Sequence, residues 1–161
     1  AKILESNGTR LAFLGYTDVG KEFCAGKKAG NAPCLEDYIK EDVKAARKIA
    51  DIVIVSFHYG KELAKFPSSR QRFLSRLAID SGANIIIGHH PHVLQEVEHY
   101  KQGLIFYSLG NFCFGGNSKH TDSAIAKIVV SKTDIKNYEL FYELLPVRTG
   151  KQGSFMPFLA K

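Results

Sequence analysis

The sequence predicts an α/β fold, with one βαβ unit followed by a half built mainly of antiparallel strands. Three observations carry this reading. Ile52-Val53-Ile54-Val55-Ser56-Phe57 and Asn84-Ile85-Ile86-Ile87-Gly88 are near-continuous apolar runs, the pattern of strands buried on both faces of a parallel sheet. A helical pattern separates them, so strand, helix and strand fit within residues 52–88, with a right-handed crossover expected. Beyond residue 93 the pattern changes to shorter apolar runs divided by turn residues.

Each element has a local cause. Residues 3–6 and 10–16 are apolar-rich and flank Asn7-Gly8, a hairpin signal because both residues tolerate positive φ. Residues 18–33 read as a polar loop with three glycines. A helix fits 35–50: Leu35, Tyr38, Ile39, Val43, Ala46 and Ile49 fall on one face, and Glu36, Asp37 and Glu41 sit in early turns where the helix dipole favours acids. A second helix starts at Ser68 or Ser69, just after Pro67, and stops at Gly82. Gln95–Tyr100, Leu104–Leu109, Ala124–Ser131 and Tyr138–Val147 read as strands. Their turns fall around Gln102-Gly103, Gly115-Gly116-Asn117 and Lys136-Asn137.

The 161 residues are enough for one good core. A composition 45% hydrophobic and 24% charged excludes a disordered or fibrous chain. Lys and Arg number 22 against 16 Asp and Glu, a net charge of +6 that mildly favours anionic partners. The basic residues are scattered and form no continuous basic stripe interleaved with aromatics, so nucleic acid is not an expected partner. No apolar run approaches the roughly 18 residues of a membrane-spanning helix. The chain opens directly on a strand-like segment, with no signal-peptide pattern, and reads as part of something longer. Three cysteines exclude a disulfide-dense scaffold. Cys24 and Cys34 bracket a flexible stretch in which a bridge is sterically open but not required. Cys113, in Phe112-Cys113-Phe114, reads as a buried apolar thiol. With no CxxC pair, a zinc ribbon is excluded.

The chemistry concentrates in histidines. Three of the six occupy Gly88-His89-His90-Pro91-His92. Pro91 is expected to push His90 toward extended backbone. Residues 90 and 92 would then face one side and His89 the other. A His-x-His pair on one side suits a borderline metal ion. His58 ends the run Ile52–Phe57, just as the cluster ends Ile85–Ile87. Both therefore lie at strand carboxyl ends, the edge where open α/β sheets place ligands. Glu62 could be a ligand, an acid that orients an imidazole from behind, or a surface charge, and the orienting role is favoured. Gly110-Asn111 closes the run Leu104–Leu109; taken alone this is a turn signal, although an amide there can face a ligand. Nitrogen ligands without thiolate point to Zn, Mn, Fe or Ni, ions that bind phosphate oxygens and lower the pKa of water. A two-ion site also needs carboxylates, and no Asp-x-His, Gly-Asp or Gly-Asn-His occurs here.

His58-Tyr59-Gly60-Lys61-Glu62, Pro67 with Gln71, Asp80-Ser81-Gly82-Ala83-Asn84, Gly88-His89-His90-Pro91-His92-Val93 and Phe106-Tyr107-Ser108-Leu109-Gly110-Asn111-Phe112 together resemble the bacterial capsule-synthesis CapA family. These are poly-γ-glutamate synthesis proteins of the calcineurin-like metallophosphoesterase superfamily. The resemblance runs over most of residues 1–147. It implies a partial calcineurin-like fold, with residues 1–161 forming a single domain whose N-terminal part, carrying the first metal-ligand motifs, is missing. Tyr59 stands where the family usually has Trp, which is expected to keep an aromatic wall. By this analogy His58, His90 and His92 are candidate metal ligands, His89 a catalytic proton donor or phosphate contact, and Asn111 a candidate for holding a ligand in place from behind. The implied cofactor is a divalent transition metal, two ions when the domain is complete.

The implied function is capsule or poly-γ-glutamate assembly or export with a metallophosphoesterase-like site. The alternative is an active metal-dependent phosphoesterase acting on a phosphomono- or phosphodiester. Expected partners are an anionic polymer or phosphoester substrate, and either the missing N-terminal half or a second copy covering the sheet edge. The resemblance places the protein at the cell surface or on the extracellular side of the membrane. Taken alone, the chain is expected to be hydrolytically weak.

Overall fold

The structure, a computed structural model, describes residues 1–113, 122–133, 138–149 and 157–160. The strands are β1 (Lys2–Ser6), β2 (Thr9–Thr17), β3 (Ile52–His58), β4 (Ile85–His89), β5 (Val97–Tyr100), β6 (Gly103–Phe106), β7 (Asp122–Lys132), β8 (Tyr138–Arg148) and β9 (Phe158–Leu159). The helices are α1 (Glu36–Ile49) and α2 (Ser69–Asp80), with a short 3-10 turn at Lys21–Phe23.

Local chemistry accounts for most of these elements. Asn7 and Gly8 take φ of 48° and 71°, so β1 and β2 pair in register from Lys2↔Phe13 to Ser6↔Thr9. Ser68 caps α2 through a full capping box, its side chain accepting from the Gln71 backbone N–H while the Gln71 side chain accepts from the Ser68 N–H. Gly82, at φ 115°, turns the chain out of α2. In α1 only Ile39, Val43 and Ala46 are buried. Leu35, Tyr38 and Ile49, expected on the same face, are half exposed. The helix rests on the sheet along a stripe narrower than its apolar arc.

Six strands form one sheet in the order β1-β2-β3-β4-β6-β5, and β7-β8-β9 form a second. Parallel pairing reaches further than the sequence suggests. β2 and β3 are parallel, making β2-α1-β3 a second βαβ unit. β6 lies parallel to β4, inserted between β4 and β5. The expected antiparallel half is therefore confined to β5 and the second sheet. A strand that begins as a hairpin arm, as β2 does, carries no periodicity that reveals a parallel neighbour on its other side.

The large sheet is covered on both faces. Ile39, Val43, Leu74 and Ala78 of the helices pack on Val53, Val55, Phe57, Ile86 and Ile105. The opposite face, with Ile52, Ile85, Leu104 and Phe106, packs on Ala126, Ile128, Val130 and Leu140 of the second sheet. Each such aliphatic side chain contributes about 1.5–3 kcal/mol when fully buried. The result is a helix–sheet–sheet layering. It leaves the carboxyl ends of β2, β3, β4 and β6 together along one edge.

The question the sequence leaves open at Cys24 and Cys34 is answered: both are unbridged thiols. Each is held by backbone bonding instead, Cys34 N–H donating to Thr17 O at 2.8 Å and Cys24 bridging to Asn31. Cys113 is exposed, not buried, because β6 ends at Phe106 and the isolated bridges that continue it stop at Gly110. β9 was not expected. The turns around Gly115-Gly116-Asn117 and Lys136-Asn137 lie outside the described residues.

Candidate metal centre

β3 and β4 run in register to their last residues, pairing His58 with His89. Beyond that point the two chains leave the sheet but stay tied. The Tyr59 N–H donates to His89 O at 3.0 Å, and the Leu63 N–H to Pro91 O at 2.8 Å. These bonds carry Glu62 over to the histidine turn.

The turn itself is not extended. His90 and His92 have φ of 101° and 59°, so the expectation that Pro91 extends His90 is wrong. A tight reversal bonded to the β3 loop overrides the local preference. Positive φ at two non-glycine residues is backbone strain of the kind that concentrates at functional sites. The reversal still brings the rings together. The His58 and His90 ring centroids lie 4.8 Å apart, and those of His90 and His92 5.9 Å apart.

One carboxylate oxygen of Glu62 and one ring nitrogen each of His90 and His92 lie within 4.8 Å of one another. A zinc-type ion with ligands at about 2.1 Å holds tetrahedral ligand atoms about 3.4 Å apart. The exposed Glu62 has room to close that gap. Two imidazoles and a carboxylate suit a first-row divalent ion. Glu62 thus has a carboxylate oxygen close to a ring nitrogen of each imidazole. His58 stands next to this set, against His90. His89 keeps an exposed face outside the set, although the atoms packed around its ring lower its pKa.

Electrostatics favour the neutral form of His58 and His90. Burial lowers the pKa of His58, and the neighbouring His90, His89 and His92 lower it further. Burial also lowers His90, with Glu62 opposing and His92 reinforcing the shift. Neutral imidazoles are the form that binds metal. His92 Nδ1 lies 2.7 Å from Asn111 Oδ1. An amide oxygen can only accept, so Nδ1–H donates and Nε2 is left with its lone pair.

The profile of the bacterial capsule synthesis protein PGA_cap matches residues 1–116. The chain belongs to this family. It is 44% identical over 137 residues to the PGA biosynthesis protein CapA of Bacillus subtilis (strain 168), covering 83% of this chain and 36% of that protein. It is 42% identical over 128 residues to the capsule biosynthesis protein CapA of Bacillus anthracis, covering 75% and 31%. The chain therefore spans about a third of the length of the relatives it matches. Every residue of the centre, from His58 to Asn111, falls inside the family match.

Beneath the centre is a part that the sequence reading left without a role. Gln71 is fully buried. Its Nε2 donates to Gln95 Oε1 at 2.9 Å, and Gln95 Nε2 donates to Ala64 O at 2.8 Å. This amide pair fixes the loop that carries Glu62. It packs so closely under Gly60, φ 93°, that a Cβ there would lie 2.6 Å from the Gln71 amide. The Ser68-x-x-Gln71 capping-box spacing was a readable signal for one half of that pair. Tyr59, expected as an aromatic wall, is buried under the helix layer. It stacks on Phe57 at 5.2 Å and its hydroxyl meets Ser75 Oγ at 2.9 Å. Beside His58 a cleft of about 750 Å³ opens, lined by Gly15, Thr17, Ser56, Phe23 and Asn31.

Proposed function

We propose that this chain carries the metal-binding part of a protein of capsule or poly-γ-glutamate biosynthesis, acting in assembly or export, with a calcineurin-like, metallophosphoesterase-type site. The convergence of Glu62, His90 and His92 from two strand-end loops is the observation that carries the reading. The names of the Bacillus relatives, in capsule and PGA biosynthesis, support its biological setting. The cell surface is the proposed location and an anionic polymer or phosphoester the proposed partner.

Glu62, His90 and His92 would hold a divalent Zn, Mn, Fe or Ni ion, with His58 adjacent as a further ligand. Such an ion, when bound, polarises phosphoryl oxygens and lowers the pKa of water. Asn111 fixes the His92 tautomer, the Gln71–Gln95 pair holds the Glu62 loop, and His89 stands at the rim as a proton donor. A second reading, an active phosphoesterase, is favoured by the substrate-sized cleft that opens against His58.

Calorimetric titration with Zn and Mn tests the first reading. The full chain is expected to bind, and Glu62→Gln and His90→Ala to weaken binding by at least about tenfold. Equal affinity in all three proteins would sink it. Turnover of a generic phosphodiester by the metal-loaded chain, lost in His58→Ala, separates the second reading from the first.

A further inference from the structure

We infer that the sheet edge carrying the histidines is a docking surface for an anionic lipid bilayer. The parallel strands β2, β3, β4 and β6 are neighbours. At about 4.8 Å per strand their trailing loops form a row about 14 Å wide. Large apolar side chains project from these loops. Phe23, after β2, is 66% exposed; Leu63 and Phe66, after β3, are 53% and 76% exposed; Phe112, after β6, is 46% exposed. Single exposed apolar residues are ordinary, but a group of them at one edge marks an interaction surface.

Cations are interleaved with them. Lys21, Lys27, Lys28, Lys61 and Lys65 are all exposed on the same loops. None forms an ion pair among the described residues. The acids nearby are largely engaged. Asp18 is paired with Arg70 and Glu96 with Arg72. Glu22 and Glu62 remain, and Glu62 belongs to the histidine site. The segment Lys61-Glu62-Leu63-Ala64-Lys65-Phe66 alternates the two chemistries that interfacial binding uses, apolar insertion and attraction to acidic headgroups. An acidic polymer would engage the lysines alone and leave the phenylalanines in water. The pattern therefore favours lipid over polymer, and it holds whether or not the histidines bind metal.

Co-sedimentation of the full chain with vesicles tests this. Mixed phosphatidylglycerol–phosphatidylcholine vesicles are expected to bind it at least about tenfold more tightly than phosphatidylcholine alone, and less in high salt. The double variants Phe23→Ser with Phe66→Ser, and Lys61→Glu with Lys65→Glu, should each weaken binding about tenfold without lowering the melting temperature, since these side chains are exposed. Ile49→Ser, exposed at the opposite end of α1, should change nothing. The inference is overturned if neither vesicle binds, if Ile49→Ser weakens binding equally, or if soluble polyglutamate binds and competes while the phenylalanine variant keeps full affinity.

Discussion

Nδ1 of His92 and Oδ1 of Asn111 lie 2.7 Å apart, joining the loop after β4 to the loop after β6. Outer hydrogen bonds of this kind set imidazole orientation, and their loss typically costs 10–100-fold in metal affinity. Asn111→Leu is therefore expected to weaken Zn binding by about that factor, while Asn111→Asp, which keeps an acceptor, retains it. Isothermal titration of both variants decides the matter. Unchanged affinity in Asn111→Leu would show that Asn111 does not orient the ring.

Glu98 ties β5 to α2 and β6. Burial pulls its pKa up, but hydrogen bonds from Tyr107 and Arg76 and the charges of Arg76 and Arg72 outweigh this and hold it below the ordinary carboxylate range. The Tyr107 hydroxyl donates to Oε2 at 2.6 Å and Arg76 Nη2 to Oε1 at 2.7 Å. A carboxylate with a depressed folded pKa gives stability that is full above its unfolded pKa, near 4.5. That stability is lost as pH falls through the folded value. Glu98→Gln should cost about 1–2 kcal/mol at pH 7, discounted for the exposed arginines, and much less in acid. Urea midpoints at neutral and acidic pH measure the difference. A pH-independent cost would remove the electrostatic explanation.

Gly88, in β4, lies against the backbone of Tyr107, the residue that follows β6. A Cβ at this position would collide with the Tyr107 carbonyl oxygen and lie 2.7 Å from Tyr59 Cε1. The obstacles are backbone and a buried ring, so neither can yield cheaply. Gly88→Ala is expected to destabilise by about 3 kcal/mol and to displace the adjoining histidine turn. Thermal melting reads the loss. A melting temperature matching the parent would mean that the strands separate at little cost.

Much of the fold was legible because its signals are local. Asn7-Gly8 requires nothing beyond its own permitted dihedrals to turn the chain between β1 and β2. Ile52–Phe57 and Ile85–Ile87 announce buried strands by composition, and Ser68 with Gln71 caps α2 within one helical turn. The histidine cluster and its place at a strand end were readable in the same way. Only the tertiary structure decided who meets whom. β6 slips between β4 and β5, and β2 adopts a parallel neighbour, because sheet order depends on which faces can be buried together. Glu62 reaches His90 and His92 through the Leu63–Pro91 backbone bond. The positive φ of His90 is imposed against the preference of its proline neighbour. Cys113 is left exposed by the early end of β6. Dihedral preference and periodicity act over a few residues and are written into the chain. Contacts between residues tens of positions apart are selected by the packing of the whole core, and no short segment encodes them.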